Sequence, residues 1–419
     1  MTPLPPASSL EEQPAPPARR DGSRVVAAVA VLVAVALVAG IVVLTTRDDE
    51  QEPVASGPTT TARERDTERS TTTGAPDEVE AAVRELSAFV AEQRGRPFRE
   101  DVDVELLADD EFVARLEELG EEDEASVAES GRLLQAVGLL DAGDDLVEAV
   151  DRAAAEGVLG YYDPEDDALV VRGTDLSTGV RSTLVHELTH AWDDQHFELD
   201  RPALDEADDE SAFGFSALLE GNAVRVEEAW GETLSDDERD ELESAADSAS
   251  DRLGAADVPP IVLQLLTLPY AAGSQLVAEL VQAGGEGRVD AAFAAPPTTS
   301  EQVLDPSTYV DGPEPAVAVA EPAADGPVTD RGVFGAAGVL LTLIDRIAVE
   351  DARTAAGGWG GDRYVTWAAG DRTCVRLAMA GDGPTDVREL RSAWSAWAAA
   401  GEGAEVRAVD GRVVVTSCG

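Results

Sequence analysis

The sequence predicts an α+β fold, mainly helical, behind an N-terminal transmembrane helix. Apolar residues recur at helical spacing through most of residues 77–305. Two hairpin signals, at 158–172 and 406–416, add β structure to this helical pattern. An uncharged run of twenty residues, 25–44, stands apart from the rest between polar and proline-rich segments.

Residues 1–24 carry Pro3, Pro5, Pro6, Pro14, Pro16 and Pro17 and read as a disordered cytoplasmic tail. The run 25–44 has the length that spans ~30 Å of hydrocarbon at ~1.5 Å per residue. Arg19, Arg20 and Arg24 precede it, and Arg47 is followed at once by Asp48, Asp49 and Glu50. The positive-inside bias therefore puts the N-terminus in the cytoplasm and everything after the anchor outside the cell. A cleaved signal peptide would have an apolar core of ~7 to 15 residues and a small-x-small site, and neither fits after Leu44. Residues 45–76 are mostly Thr, Arg, Asp, Glu, Pro and Gly, too polar to bury a core, and read as a disordered linker.

From Asp77 onward, Val79, Val83, Leu86 and Val90 share one helix face, and further helices are expected at 112–119, 131–140 and 146–155. Residues 158–162 and 168–172 flank Asp163-Pro164-Glu165-Asp166-Asp167, a hairpin leading into a helix through Val180, Leu184, Val185, Leu188 and Trp192. Helices are expected at 238–252, 261–268 and 273–283. The Pro-rich stretch 306–327 marks the end of a domain at 77–305, followed by a C-terminal α+β portion at 328–419 that either stands alone or completes that domain. It would hold a helix at 333–350, strands at 364–367 and 374–379, a helix at 386–399, and the hairpin turning on Asp410-Gly411. Its apolar run 332–344 is too short to cross a membrane.

The three histidines of the chain, His186, His190 and His196, all lie in His186-Glu187-Leu188-Thr189-His190-Ala191-Trp192-Asp193-Asp194-Gln195-His196. On a helix, positions i and i+4 are neighbours, so His186 and His190 can converge on one metal ion with Glu187 beside them. In this pattern, Zn²⁺ bound by the histidines lowers the pKa of its water to ~7 and the intervening Glu takes the proton.

Through His186-Glu187-x-x-His190 the chain resembles the zincin metallopeptidases. The resemblance implies one Zn²⁺ per chain, Glu187 as the catalytic base, a small β-sheet beside the motif helix, and a third protein ligand. His196 stands ten residues after His186, the spacing of metzincins, but Asp193 occupies the position where that branch has Gly. If the helix continues, His196 points about 80° away from His186. Glu220, in Ser216-Ala217-Leu218-Leu219-Glu220-Gly221-Asn222-Ala223-Val224, has apolar or small helical neighbours and faces inward, where a carboxylate needs a partner such as a metal. Its setting looks like the ligand helix of the gluzincin branch, so Glu220 is preferred and His196 is the alternative. His196 or Asp193 would then orient a ligand; an interior salt bridge is the other use for Glu220.

The resemblance extends over roughly residues 77–370 to poorly characterised bacterial membrane-anchored zinc peptidases. It runs through 186–197, Glu220-Gly221, Pro296-Pro297-Thr298-Thr299-Ser300-Glu301-Gln302 and Gly358-Trp359-Gly360-Gly361-Asp362-Arg363-Tyr364. Thr298-x-x-Glu301 reads most simply as a capping box, and 358–364 as a glycine-rich turn into a strand. Tyr270 is either an oxyanion donor or a core tyrosine. The implied function is a membrane-anchored, extracytoplasmic metallopeptidase acting on a peptide or protein substrate. The alternatives are an inactive cell-surface scaffold and a zinc hydrolase of a cell-wall amide.

Composition agrees with that placement. The formal charge of −53, from 84 acidic against 31 basic residues with no Lys, disfavours nucleic acid as a partner. Cys374 and Cys418 lie beyond the anchor in strand-like segments; paired, they would close a loop of about forty residues, worth ~4 kcal/mol in the chain-entropy model.

Overall fold

Apolar faces at helical spacing do form helices, and these pack around two small sheets. In this computed structural model the described residues are Ala34 and Val35, 76–120, 124–205, 207 and 209–419. The expected tail 1–24 and the linker up to residue 75 lie outside them. So does the expected membrane helix at 25–44, apart from the two-residue strand β1 (Ala34–Val35), which pairs antiparallel with Val158 and Gly160.

Helix α1 (Pro76–Gln93) buries Leu86 and Val90 as its periodicity predicts. Strand β2 (Asp103–Leu107), helices α2 (Asp109–Gly120), α3 (Glu124–Ala136) and α4 (Leu146–Gly157) lead to the hairpin of β3 (Val158–Asp163) and β4 (Ala168–Arg172). The hairpin is antiparallel, with Gly160 opposite Val171, while β2 joins its far side parallel to β4. Sheet order is β1-β3-β4-β2. Strand β2 escapes sequence reading because Asp103-Val104-Glu105-Leu106-Leu107 is short and no residue in it is fully buried.

Helix α5 (Thr178–Phe197) lies against this sheet, capped by Ser177, whose hydroxyl accepts from Val180 N. Leu184, Val185, Leu188, Ala191 and Trp192 are wholly buried with Leu86, Val90, Leu169, Val171 and Val226. A short helix α6 (Pro202–Asp205) precedes α7 (Ser211–Gly231), which is followed by α8 (Asp236–Ala255) and α9 (Pro260–Gly284). Two helices are expected where α9 runs unbroken through Pro269. The proline removes one hydrogen bond and crowds the preceding turn, at ~3 kcal/mol. Burial of Ile261, Val262, Leu265 and Leu266 before it and Leu276, Val277 and Leu280 after it offsets that cost. By length and hydropathy α9 could cross a membrane, but more than half of its apolar window is covered by protein.

The remainder comprises α10 (Glu286–Ala294), α11 (Ser300–Leu304), α12 (Ser307–Val310), β5 (Val328–Gly332), α13 (Gly335–Ile344), α14 (Val349–Ala356), β6 (Trp359–Ala369), β7 (Arg372–Gly381), α15 (Pro384–Ala400), β8 (Glu405–Val409) and β9 (Arg412–Cys418). Its sheet is antiparallel throughout, in the order β5-β6-β7-β9-β8. The single helix expected at 333–350 is two, because Ala348 is extended and the acidic pair Glu350 and Asp351 favours a new N-terminus there. Cys374 and Cys418 stand opposite each other on β7 and β9 and form a disulfide. Leu133 and Ala136 of α3 and Val137 just after it share a core with Trp359, Leu377, Met379, Trp394 and Val413, so side chains from both sides of the Pro-rich stretch pack together.

Candidate metal centre

Helix α5 carries His186, Glu187 and His190 on buried faces because the hairpin presses on it without a side chain in between. A Cβ on Gly160 of β3 would lie 2.6 Å from Thr183 Cγ2 and 3.3 Å from Glu187 Cγ. On the other side, α7 crosses α9 at backbone contact. A Cβ on Gly221 would meet Gly273 O at 2.1 Å, and one on Gly273 would meet Ala217 O at 1.9 Å. Gly221 therefore serves helix packing, and it seats its neighbour Glu220 over α5.

The two imidazoles are 4.9 Å apart, centroid to centroid. Glu220 Oε2 lies 3.2 Å from His186 Nε2 and 3.6 Å from His190 Nε2. One donor atom from each of the three residues falls within 4.8 Å of the others. Of the two third-ligand candidates, the fold thus brings Glu220 to the histidine pair. His196 is turned aside: its ring stacks on Trp192 at 3.9 Å and its Nδ1 is 2.8 Å from Trp192 O. The helix simply continues past His190, as the 80° displacement requires.

The carboxylate hydrogen-bonded to His186 from outside the cluster is Glu227, which sequence reading missed. Its carboxylate accepts from His186 Nδ1 at 3.1 Å and from the Ser182 hydroxyl at 2.6 Å. It lies seven residues after Glu220, two turns along the same face, which is the signal that could have found it. Asp193 instead accepts from Asn222 Nδ2 at 2.6 Å and pairs with Arg94 at 3.1 Å. Tyr270 of α9 is buried, its ring stacked 6.1 Å from His186.

Electrostatics in the centre is dominated by burial and by an excess of carboxylates. Burial opposes a charge on His186, yet hydrogen bonds to Glu220 and Glu227 hold it well above its ordinary value. Burial would raise Glu220, but His190 and His186 outweigh it and keep the carboxyl below the usual range. Burial pushes Glu187 up to about 7, against the pull of both histidines and with help from Glu220 and Glu227. Glu187 Oε1 is buried and has no hydrogen-bond partner among the described residues, a costly state for a carboxylate oxygen. Two imidazole nitrogens, one carboxylate oxygen, an uncommitted carboxylate beside them and surplus negative charge suit a divalent cation of the zinc type with one position open.

The other motif segments are structural. Thr299, rather than Thr298, caps α11, accepting from Gln302 N, while Gln302 Oε1 accepts from Thr298 N. Ser300 N donates to Glu210 at 3.0 Å, and the Ser300 hydroxyl accepts from Ala337 N. Asp362 in β6 accepts from Phe334 N, Gly335 N and Trp359 Nε1 at 2.7–2.8 Å, capping α13 from outside the helix. Burial pushes Glu210 up to about 7 despite the Ser300 hydrogen bonds, and Asp362 up to about 6 despite its three donors.

A family model described as a domain of unknown function (DUF8575) matches residues 285–418. That region begins at α10 and excludes both α5 and α7. No curated protein and no solved structure matches the chain.

Proposed function

We propose that this chain is a zinc-dependent metallopeptidase, held at the cell membrane by residues 25–44 with its catalytic part outside the cell. The observation that carries the reading is the convergence of His186, His190 and Glu220 beside a buried carboxylate oxygen of Glu187 that has no hydrogen-bond partner among the described residues. His186, His190 and Glu220 would hold the ion, which when bound polarises the scissile carbonyl and acidifies water at its open position. Glu187 takes a proton from the attacking water and delivers it to the leaving amine nitrogen. Glu227, by accepting from His186 Nδ1, would leave Nε2 to hold the ion, and the Ser182 hydroxyl donates to Glu227. Tyr270, whose ring stacks beside His186, is the residue that would donate to the developing oxyanion in this reading; packing in the core is its other use. The membrane placement rests on the sequence alone, on the uncharged run 25–44 and the arginines before it, while the pairing of Ala34 and Val35 with β3 runs against it.

The test is elemental analysis of the full chain purified in detergent, together with cleavage of a mixed peptide library. The expected result is one zinc per chain, lost in His186→Ala and Glu220→Ala and kept in His196→Ala. Glu187→Gln should keep the metal and lose ~100- to 10,000-fold in rate. A wild type that takes up no zinc on reconstitution, or a Glu187→Gln variant cleaving at the wild-type rate, would overturn the proposal.

A further inference from the structure

The geometry of the helix crossing points to a second role for buried polar groups around the metal centre. Asp193 lies on α5 three residues after His190, and Asn222 lies on α7 two residues after Glu220. Both are fully buried, and their side chains meet at 2.6 Å. This link ties the two ligand-bearing helices to each other less than one turn beyond the ligands. The other Asp193 oxygen is taken by Arg94, the first residue after α1, whose side chain is entirely buried. The same guanidinium reaches Glu286 and Asp290 of α10 and lies 4.5 Å from the Trp192 ring. Arg225, again on α7, closes the circuit by bonding Asn222 Oδ1 and Glu286.

We propose that Arg94, Asp193 and Asn222 are positioning residues for the metal centre: they fix the separation of α5 and α7 so that His190 and Glu220 meet. The inference rests on the metal-centre reading above and deepens it. A planar fork that bonds carboxylates on two helices while stacking on an indole has a fixed geometry, which an ammonium group on a flexible stem cannot reproduce. It also accounts for Asp193 at the position where a turning chain would have glycine. There the helix continues, and the residue is used to lock it against its neighbour.

The experiment measures zinc dissociation constants by chelator competition on the full chain. Arg94→Met keeps the stem and removes the fork; it should weaken zinc 10- to 100-fold. Arg94→Lys should recover little of that, whereas Arg94→Met with Asp193→Asn should recover most, because no buried carboxylate is then left unpaired. Val415→Ala, in the core of the C-terminal sheet, lowers the melting temperature without touching the network, and its zinc constant should stay at the wild-type value. The proposal is overturned if Arg94→Met stays within twofold of wild type, or if Val415→Ala weakens zinc as much. Hydrogen exchange on zinc-free protein gives a readout that needs no metal. Amides of 187–197 and 217–226 should exchange at least tenfold faster in Arg94→Met than in Val415→Ala, and equal rates overturn the positioning role. A wild type without zinc therefore removes the proposed function, while exchange still decides this inference. If Arg94→Met does not fold, Asn222→Ala, which leaves the Arg94–Asp193 pair in place, carries both measurements with the same expected directions.

Discussion

Replacing Gly273 by alanine adds one methyl group where α9 meets α7. Its ideal position is 1.9 Å from the carbonyl oxygen of Ala217, at least 1.1 Å closer than the 3.0 Å below which a Cβ contact is essentially never seen. Since the obstructing atom is backbone, no rotamer relieves the clash, and α7 must retreat by about 1 Å. Alanine is the better helix former by ~1 kcal/mol, while overpacking costs ~1–3 kcal/mol and more against main chain. A net loss of about 2 kcal/mol is expected, which lowers the melting temperature by roughly 3 °C. The functional effect is larger, because Ala217 and Gly221 bracket Glu220 on α7. A ligand displaced by about 1 Å falls outside the ~0.5 Å tolerance of such a site, and zinc affinity should fall at least tenfold. Differential scanning calorimetry and chelator competition measure the two effects. Gly254→Ala in α8, where a Cβ meets nothing within 4 Å, is the control and should gain ~0.5–1 kcal/mol. A Gly273→Ala protein with wild-type zinc affinity and a melting temperature within a degree would refute the argument that this crossing places Glu220.

Glu227→Ala should weaken zinc 10- to 100-fold while Glu227→Gln, still able to accept from His186, loses less; equal losses would show that the carboxyl oxygen contacts are unimportant. Glu210 is raised to about 7, so the folded state holds a proton that the unfolded state releases near pH 4.5. Its contribution to stability therefore falls as pH rises from about 4.5 to 7 and is constant above. Glu210→Gln should match wild type near pH 4.5 and exceed it by about 3 kcal/mol at pH 8 in denaturant titrations; a difference independent of pH would contradict this. Asp362→Asn should show the same sign over a window ending near pH 6. Cys374→Ser opens a loop spanning 44 residues and should cost ~4 kcal/mol in the oxidised protein. Reduction of the wild type should reproduce that loss in a calorimetric scan.

His186, Glu187 and His190 were legible in the chain because one turn of helix brings them together, and helical repeat is a local property. Glu220 could be singled out for the same reason, as a carboxylate on the apolar face of its own helix. The hairpins at 158–172 and 406–416 were legible through turn residues and alternation, and the cysteine pairing through the place of both cysteines in strand-like segments beyond the expected anchor. The continuity of α9 was not, because the burial that offsets Pro269 comes from other elements. Strand β2 was missed because its partner β4 lies some sixty residues away and its pairing is parallel.

The choice between Glu220 and His196 belonged to tertiary packing. His186 and Glu220 are 34 residues apart, His186 and Glu227 are 41 apart, and Arg94 and Asp193 are 99 apart. At such separations no periodicity relates two side chains; their distance is set by how closely helix backbones approach, here through Gly221 and Gly273. Local sequence thus sufficed for the residue types and their faces. Which faces meet followed from close packing across the core, where a missing Cβ counts for as much as a ligand.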